Sequence, residues 1–126
     1  DRVEPELGWA CPTVLRGYPN TGSGLSRSLA NRPDRTARWE LYIAGIELAN
    51  ACSEITDAEK QRQCFSKTAE LREQEGRPVY PPDERFLDAL DAGLPPCAGI
   101  ALGIDRLVML LAGADHVADV TAFGMD

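Results

Sequence analysis

Trp39-Glu40-Leu41-Tyr42-Ile43-Ala44-Gly45-Ile46-Glu47-Leu48-Ala49-Asn50 is the stretch that decides the architecture. Residues 39–43 are aromatic and β-branched enough for a strand, Ala44-Gly45 can turn, and residues 46–50 can return as a second arm. Glu, Leu and Ala are also good helix formers, so a single helix over 39–50 is the competing reading. Gly45 in the middle weakens that helix, and the pattern favours the hairpin.

Downstream, Thr56-Asp57-Ala58-Glu59 has the form of a capping box, with Thr56 as N-cap. It opens a helix of about 20 residues that ends near Gly76, with Arg77-Pro78 as a stop. Asp83 can cap a second helix over 84–92, ending at Gly93. Residues 98–104 read as a small-residue strand, and Asp105 as the cap of a last apolar helix from 106 to about 112. Upstream, residues 1–38 are rich in Pro, Gly and Asn; they allow one short strand at 13–18, followed by a loop from 20 to 33. Strands with helices inserted between them give an α+β fold.

The chain has 126 residues, about one domain's worth. Thirteen Lys and Arg against twenty Asp and Glu leave a net charge of −7, which argues against a basic face for nonspecific nucleic-acid binding. No apolar run approaches the roughly 20 residues of a membrane span, and the N-terminus carries no signal pattern. It also lacks an initiator Met, which reads as a processed chain or a fragment. Cys11, Cys52, Cys64 and Cys97 form no C-x-x-C pair and His116 is the single histidine, which argues against a zinc site with Cys/His spacing. Four scattered thiols read as reduced, core or semi-buried cysteines of a cytoplasmic protein.

Two stretches carry chemistry. In Gly99-Ile100-Ala101-Leu102-Gly103-Ile104-Asp105-Arg106-Leu107 the small residues at 99, 101 and 103 share one strand face, on which a flat ligand can lie against backbone. The strand runs into a helix start carrying Arg106, where free amides and a guanidinium suit an anion. Tight strand-on-helix packing with a surface Arg accounts for the same residues equally well. The second stretch is acidic: Glu40, Glu47, Asn50 and Glu54. Asn50, Cys52 and Glu54 point to one face of an extended strand, whereas Glu47 is out of phase unless a bulge intervenes. Carboxylates beside a phosphate-binding Arg can hold Mg²⁺ or grip an ammonium group; solvent-facing strand residues are the plainer alternative. His116 reads as structural or exposed.

Together these stretches resemble the C-terminal part of a class II aminoacyl-tRNA synthetase catalytic domain of the lysyl type. The resemblance rests on residues 38–50, on Ser53-Glu54-Ile55-Thr56-Asp57, on Gln61-Arg62-Gln63, on Gly93-Leu94-Pro95-Pro96, and on a motif 3-like segment at about 98–112. It covers residues 1–126, and nothing in them resembles motif 1, the dimer element, or motif 2 with its carboxylate-binding Arg. Within the family the resemblance is nearer to paralogues of the GenX/PoxA type, which ligate lysine to elongation factor P. It rests there on residues 3–8, Tyr18-Pro19, Ser23-Gly24-Leu25-Ser26-Arg27 and Ala101, where lysyl-tRNA synthetases usually carry Gly.

The resemblance implies an antiparallel sheet of the class II core with flanking helices, and an ATP-dependent ligase that makes an aminoacyl-adenylate of lysine or a lysine isomer. It implies ATP contacts from Glu40, Leu41, Gly103 and Arg106, with Arg106 on the γ-phosphate, and Mg²⁺ held by Glu40 and Glu47. Glu47, Asn50, Cys52, Glu54 and Ala101 fall to the amino-acid pocket, Glu54 receiving the side-chain ammonium; Cys52 stands where the family usually has an aromatic. The acceptor is then elongation factor P, or tRNA if the chain comes from a true lysyl-tRNA synthetase. The parent is expected to be a cytoplasmic homodimer. A synthetase-like binding module without activity is the third reading, against which intact Glu40, Glu47 and Arg106 count.

Overall fold

A computed structural model describes residues 2–21 and 24–124. Asp1, Gly22, Ser23, Met125 and Asp126 lie outside the described residues, and with them part of the expected loop and the first residue of the stretch at 23–27. The strands are β1 (Thr13–Arg16), β2 (Ser28–Leu29), β3 (Arg32–Thr36), β4 (Arg38–Ile43), β5 (Ile46–Ser53) and β6 (Ala98–Leu102). The helices are α1 (Ala58–Gln74), α2 (Glu84–Asp91) and α3 (Ile104–Ala112). One sheet has the order β1-β4-β5-β6 and a small second sheet pairs β2 with β3, so the fold is α+β.

The hairpin forms, and its turn explains why. Ala44 and Gly45 both have positive φ, 49° and 76°, the backbone of a two-residue turn whose twist matches its strands. A Cβ on Gly45 would lie 2.7 Å from the Pro5 carbonyl oxygen, so the second turn position requires glycine twice over.

The two arms do not stay in step. The turn pairs Ile43 with Ile46 and Tyr42 with Glu47, a register that would bring Ala37 opposite Cys52. Instead the Ser53 amide donates to Ala37 O at 2.9 Å. One extra residue therefore lies on β5, and the consecutive buried residues Leu48 and Ala49 mark where alternation breaks. This is the bulge on which the orientation of Glu47 depends.

By contacts the chain divides into two compact units: Asp1–Leu15, Trp39–Asn50 and Ile100–Asp126 form one, and Arg16–Arg38 and Ala51–Gly99 the other. In the first, Tyr42, Leu48, Ala49 and Met109 are buried, while β6 and α3 leave Ile100, Leu102, Ile104, Val108 and Leu111 exposed. In the second, α1 packs on α2 through Phe65 and Phe86, whose rings lie 6.2 Å apart. Leu87 and Leu90 are buried there, and Arg62 spans Glu84 at 2.8 Å and Asp91 at 3.6 Å.

Several local expectations are corrected. The segment from 20 to 33 is not all loop: β2 and β3 pair antiparallel within and beyond it. Asn20 organises that pairing, donating from Nδ2 to Ser28 Oγ at 3.0 Å and to Pro33 O at 2.9 Å. Helix α1 is capped by Asp57, whose carboxylate accepts from Lys60 N, not by Thr56. A carboxylate complements the positive helix start better than a hydroxyl, which favours the shift by one residue. Helix α3 starts two residues earlier than expected, with Gly103 as N-cap and Asp105 inside its first turn. Cys11 is exposed rather than buried; Cys52, Cys64 and Cys97 are half-buried, and all four are free thiols. His116 is exposed, as expected.

Candidate functional site

Glu40 and Tyr42 stand two residues apart on β4 and so share a face. Both are buried, at 4% and 1% exposure. A carboxylate in that position needs donors, and it has them: the Tyr42 hydroxyl donates to Oε2 at 2.5 Å and Asn50 Nδ2 to Oε1 at 3.0 Å. Asn50 Nδ2 also donates to Glu47 Oε1 at 3.2 Å. The bulge produces this convergence, because an extra residue between Glu47 and Asn50 turns both side chains to the face of Glu40. Glu47 therefore does not face away from Asn50. Tyr42 was not among the expected site residues, although the Glu-x-Tyr spacing on a strand carries the signal.

Arg106 approaches from the start of α3. Its Nη1 donates to the Glu47 backbone oxygen at 2.6 Å and stands 3.8 Å from Glu47 Oε2. Half of the Arg106 side chain, 49%, stays exposed, as does 35% of Glu47, so the pair retains a solvent-facing edge. Gly103 lets Arg106 take this path: a Cβ there would meet Arg106 Cδ at 3.3 Å. The Gly103 amide donates to Leu48 O at 2.9 Å and its carbonyl accepts from Leu107 N at 2.9 Å. Together with the bond from Glu54 N to Cys97 O at the far end of the same two strands, this makes β6 antiparallel to β5 and sets Ala101, exposed, across from Asn50. Leu41, between the two buried residues of β4, is half-buried.

The second unit holds Cys52 and Glu54. The Glu54 amide donates to Cys97 O at 3.1 Å, which sets Gly99 across from Cys52. A Cβ on Gly99 would come within 2.5 Å of Glu54 Oε1, so the carboxylate occupies the space that glycine leaves. Burial and the neighbouring Glu54 push the Cys52 thiol up, Arg38 and Ser26 acting against them.

Among the described residues no group of three or more His, Cys, Asp or Glu side chains is placed to hold a metal ion. The pair Glu40 and Glu47 nevertheless fits Mg²⁺ in kind: two hard oxygen donors, with further ligands left to phosphate and water, as this ion prefers. Two cavities of about 720 and 780 Å³ lie in the second unit, one between α1, α2 and residues 79–83 and the other beside Arg27, Lys60 and Lys67. Neither is lined by an expected site residue. No helix of the described residues is long and apolar enough to cross a membrane.

Residues 9–126 match the family model for tRNA synthetases class II (D, K and N). Among curated proteins, the elongation factor P–(R)-β-lysine ligase of Salmonella dublin is 47% identical over 125 residues, 98% of this chain and 38% of the relative. The proteins of the same name from Salmonella paratyphi B and Salmonella heidelberg are each 46% identical over the same lengths. The chain thus spans 38% of the length of these relatives.

Proposed function

This chain belongs to the class II tRNA synthetase family of the D, K and N type, and from that membership we propose that it is the motif 3 part of an ATP-dependent ligase. The intact protein activates lysine or a lysine isomer as an aminoacyl-adenylate and passes it to elongation factor P. It works as a cytoplasmic homodimer.

The observation that carries the reading is the convergence of Glu40, Asn50 and Glu47 beside Arg106 at the β6–α3 junction. The amino-acid carboxylate attacks the α-phosphorus of ATP and pyrophosphate leaves, so the protein has charge and position to manage and needs no nucleophile of its own. Arg106 offers its exposed edge to the γ-phosphate. Glu40 and Glu47 would hold Mg²⁺, which neutralises phosphate charge when bound. Leu41 and Gly103 border the nucleotide. Asn50, Ala101 and Glu47 border the amino acid; Cys52 and Glu54 are assigned to its side chain by the family resemblance, Glu54 as the ammonium's counter-ion. Support for the lysine-type substrate and for the acceptor comes from the relatives' names and their 46–47% identity.

The test is ATP–pyrophosphate exchange by the full-length protein containing this chain, with L-lysine and (R)-β-lysine. Exchange that requires one of these amino acids and Mg²⁺ is expected. Absence of exchange with both, in a folded protein that binds ATP, refutes the reading.

A further inference from the structure

We propose that Tyr42 is a positioning residue for the ATP site, its buried phenol fixing the Glu40 carboxylate in the orientation that meets Asn50 and Glu47. The inference rests on the ATP role proposed for Glu40. Two donors grip opposite oxygens of that carboxylate, the Tyr42 hydroxyl on Oε2 at 2.5 Å and Asn50 Nδ2 on Oε1 at 3.0 Å. Held at both ends, the carboxylate plane cannot rotate without losing a hydrogen bond. Tyr42 is also across the hairpin from Glu47, next to the residue that shares Asn50 with Glu40. Volume alone does not call for the hydroxyl. Phenylalanine would fill the same space, and a phenol buried to 1% exposure is costly unless its O–H is used. The bond it makes is the charge-assisted kind, short and directional.

The test compares full-length protein carrying Tyr42→Phe, Tyr42→Leu or Glu40→Gln with the unsubstituted protein. ATP with Mg²⁺ and L-lysine are titrated by calorimetry, and KM for each is measured by pyrophosphate exchange. Tyr42→Phe is expected to restore the unfolding midpoint lost in Tyr42→Leu. Its affinity for ATP with Mg²⁺ is nevertheless expected to fall about tenfold, the scale of one hydrogen bond to a charged group, with lysine affinity unchanged. Combined with Glu40→Gln, Tyr42→Phe adds no further loss. ATP affinity of Tyr42→Phe equal to the unsubstituted protein, while Glu40→Gln is impaired, overturns the proposal and leaves the ATP site standing. No effect from Glu40→Gln overturns the ATP site itself. Should Tyr42→Phe not fold, the hydroxyl proton of Tyr42 is followed by NMR in the unsubstituted protein. A shift on adding ATP with Mg²⁺ supports the proposal, and an unchanged resonance at saturation overturns it.

Discussion

Gly99→Ala in the full-length protein separates amino-acid recognition from nucleotide binding. The new Cβ would stand 2.5 Å from Glu54 Oε1, whereas ordinary contact begins at 3.4 Å. The clash falls on the end of a flexible side chain, so the carboxylate moves by about 0.9 Å, the difference of those two distances, and the fold tolerates it. A misplacement of about 1 Å at a recognition group can cost on the order of a hundredfold. Lysine and β-lysine are therefore expected to bind ten to a hundred times more weakly, with an unfolding midpoint close to that of the unsubstituted protein. ATP affinity is expected to hold, because the atoms that the new Cβ meets within 4 Å belong to Glu54 alone, which has no role in the proposed ATP site. Calorimetry with each amino acid, and ATP with Mg²⁺ as control, reads both arms. Unchanged affinity for both amino acids refutes the reasoning, since Glu54 could then move without consequence and would not be the ammonium receptor.

Other substitutions test the remaining assignments. Arg106→Ala removes a charge-assisted contact worth about 1.5–3 kcal/mol and is expected to slow adenylate formation by about ten- to a hundredfold; unchanged exchange kinetics would make Arg106 a packing residue. With Glu54 in its proposed role as counter-ion, Glu54→Gln leaves the substrate ammonium unpaired, at a cost of about 3–5 kcal/mol for a buried pair, so lysine affinity should fall by two orders of magnitude or more, and retained affinity removes Glu54 from the pocket. Because burial and Glu54 push the Cys52 thiol up, Cys52 contributes stability that is complete below the ordinary thiol range and is lost as pH rises through the raised value. At neutral pH iodoacetamide should accordingly label exposed Cys11 well before Cys52, which peptide mass spectrometry resolves. Residues 1–126 on their own are expected to give no ATP–pyrophosphate exchange, as they contain no segment resembling motif 2.

The elements were legible where local chemistry and pairing agree. Ala44-Gly45 between two apolar arms specifies its hairpin, and Asp83 caps α2 where the sequence points. Where neighbours compete, the outcome turned on finer balances: Asp57 displaced Thr56 at the cap of α1, and Gly103 opened α3 ahead of Asp105. The β2–β3 pairing was hidden because Asn31 and Pro33 are turn formers. Its organiser, Asn20, acts on Pro33 from 13 residues away. The candidate site was open to the sequence as a set of residues but not as a geometry. Glu40, Glu47, Asn50 and Arg106 could be named from chemistry, but that Glu47 and Asn50 meet depends on one extra residue in β5. Only the pairing with β4 reveals that residue. Likewise Gly99 reads as one of three small residues until Glu54 is seen to fill the space beside it.

Transfer of the activated amino acid tests the central claim most directly. Full-length protein is incubated with radiolabelled lysine or (R)-β-lysine, ATP and Mg²⁺, with purified elongation factor P in one reaction and total tRNA in another. The account predicts ATP-dependent label on elongation factor P, with a mass increase of one aminoacyl group, and no label on tRNA. Label on tRNA alone, or on neither acceptor while the protein binds ATP, contradicts it.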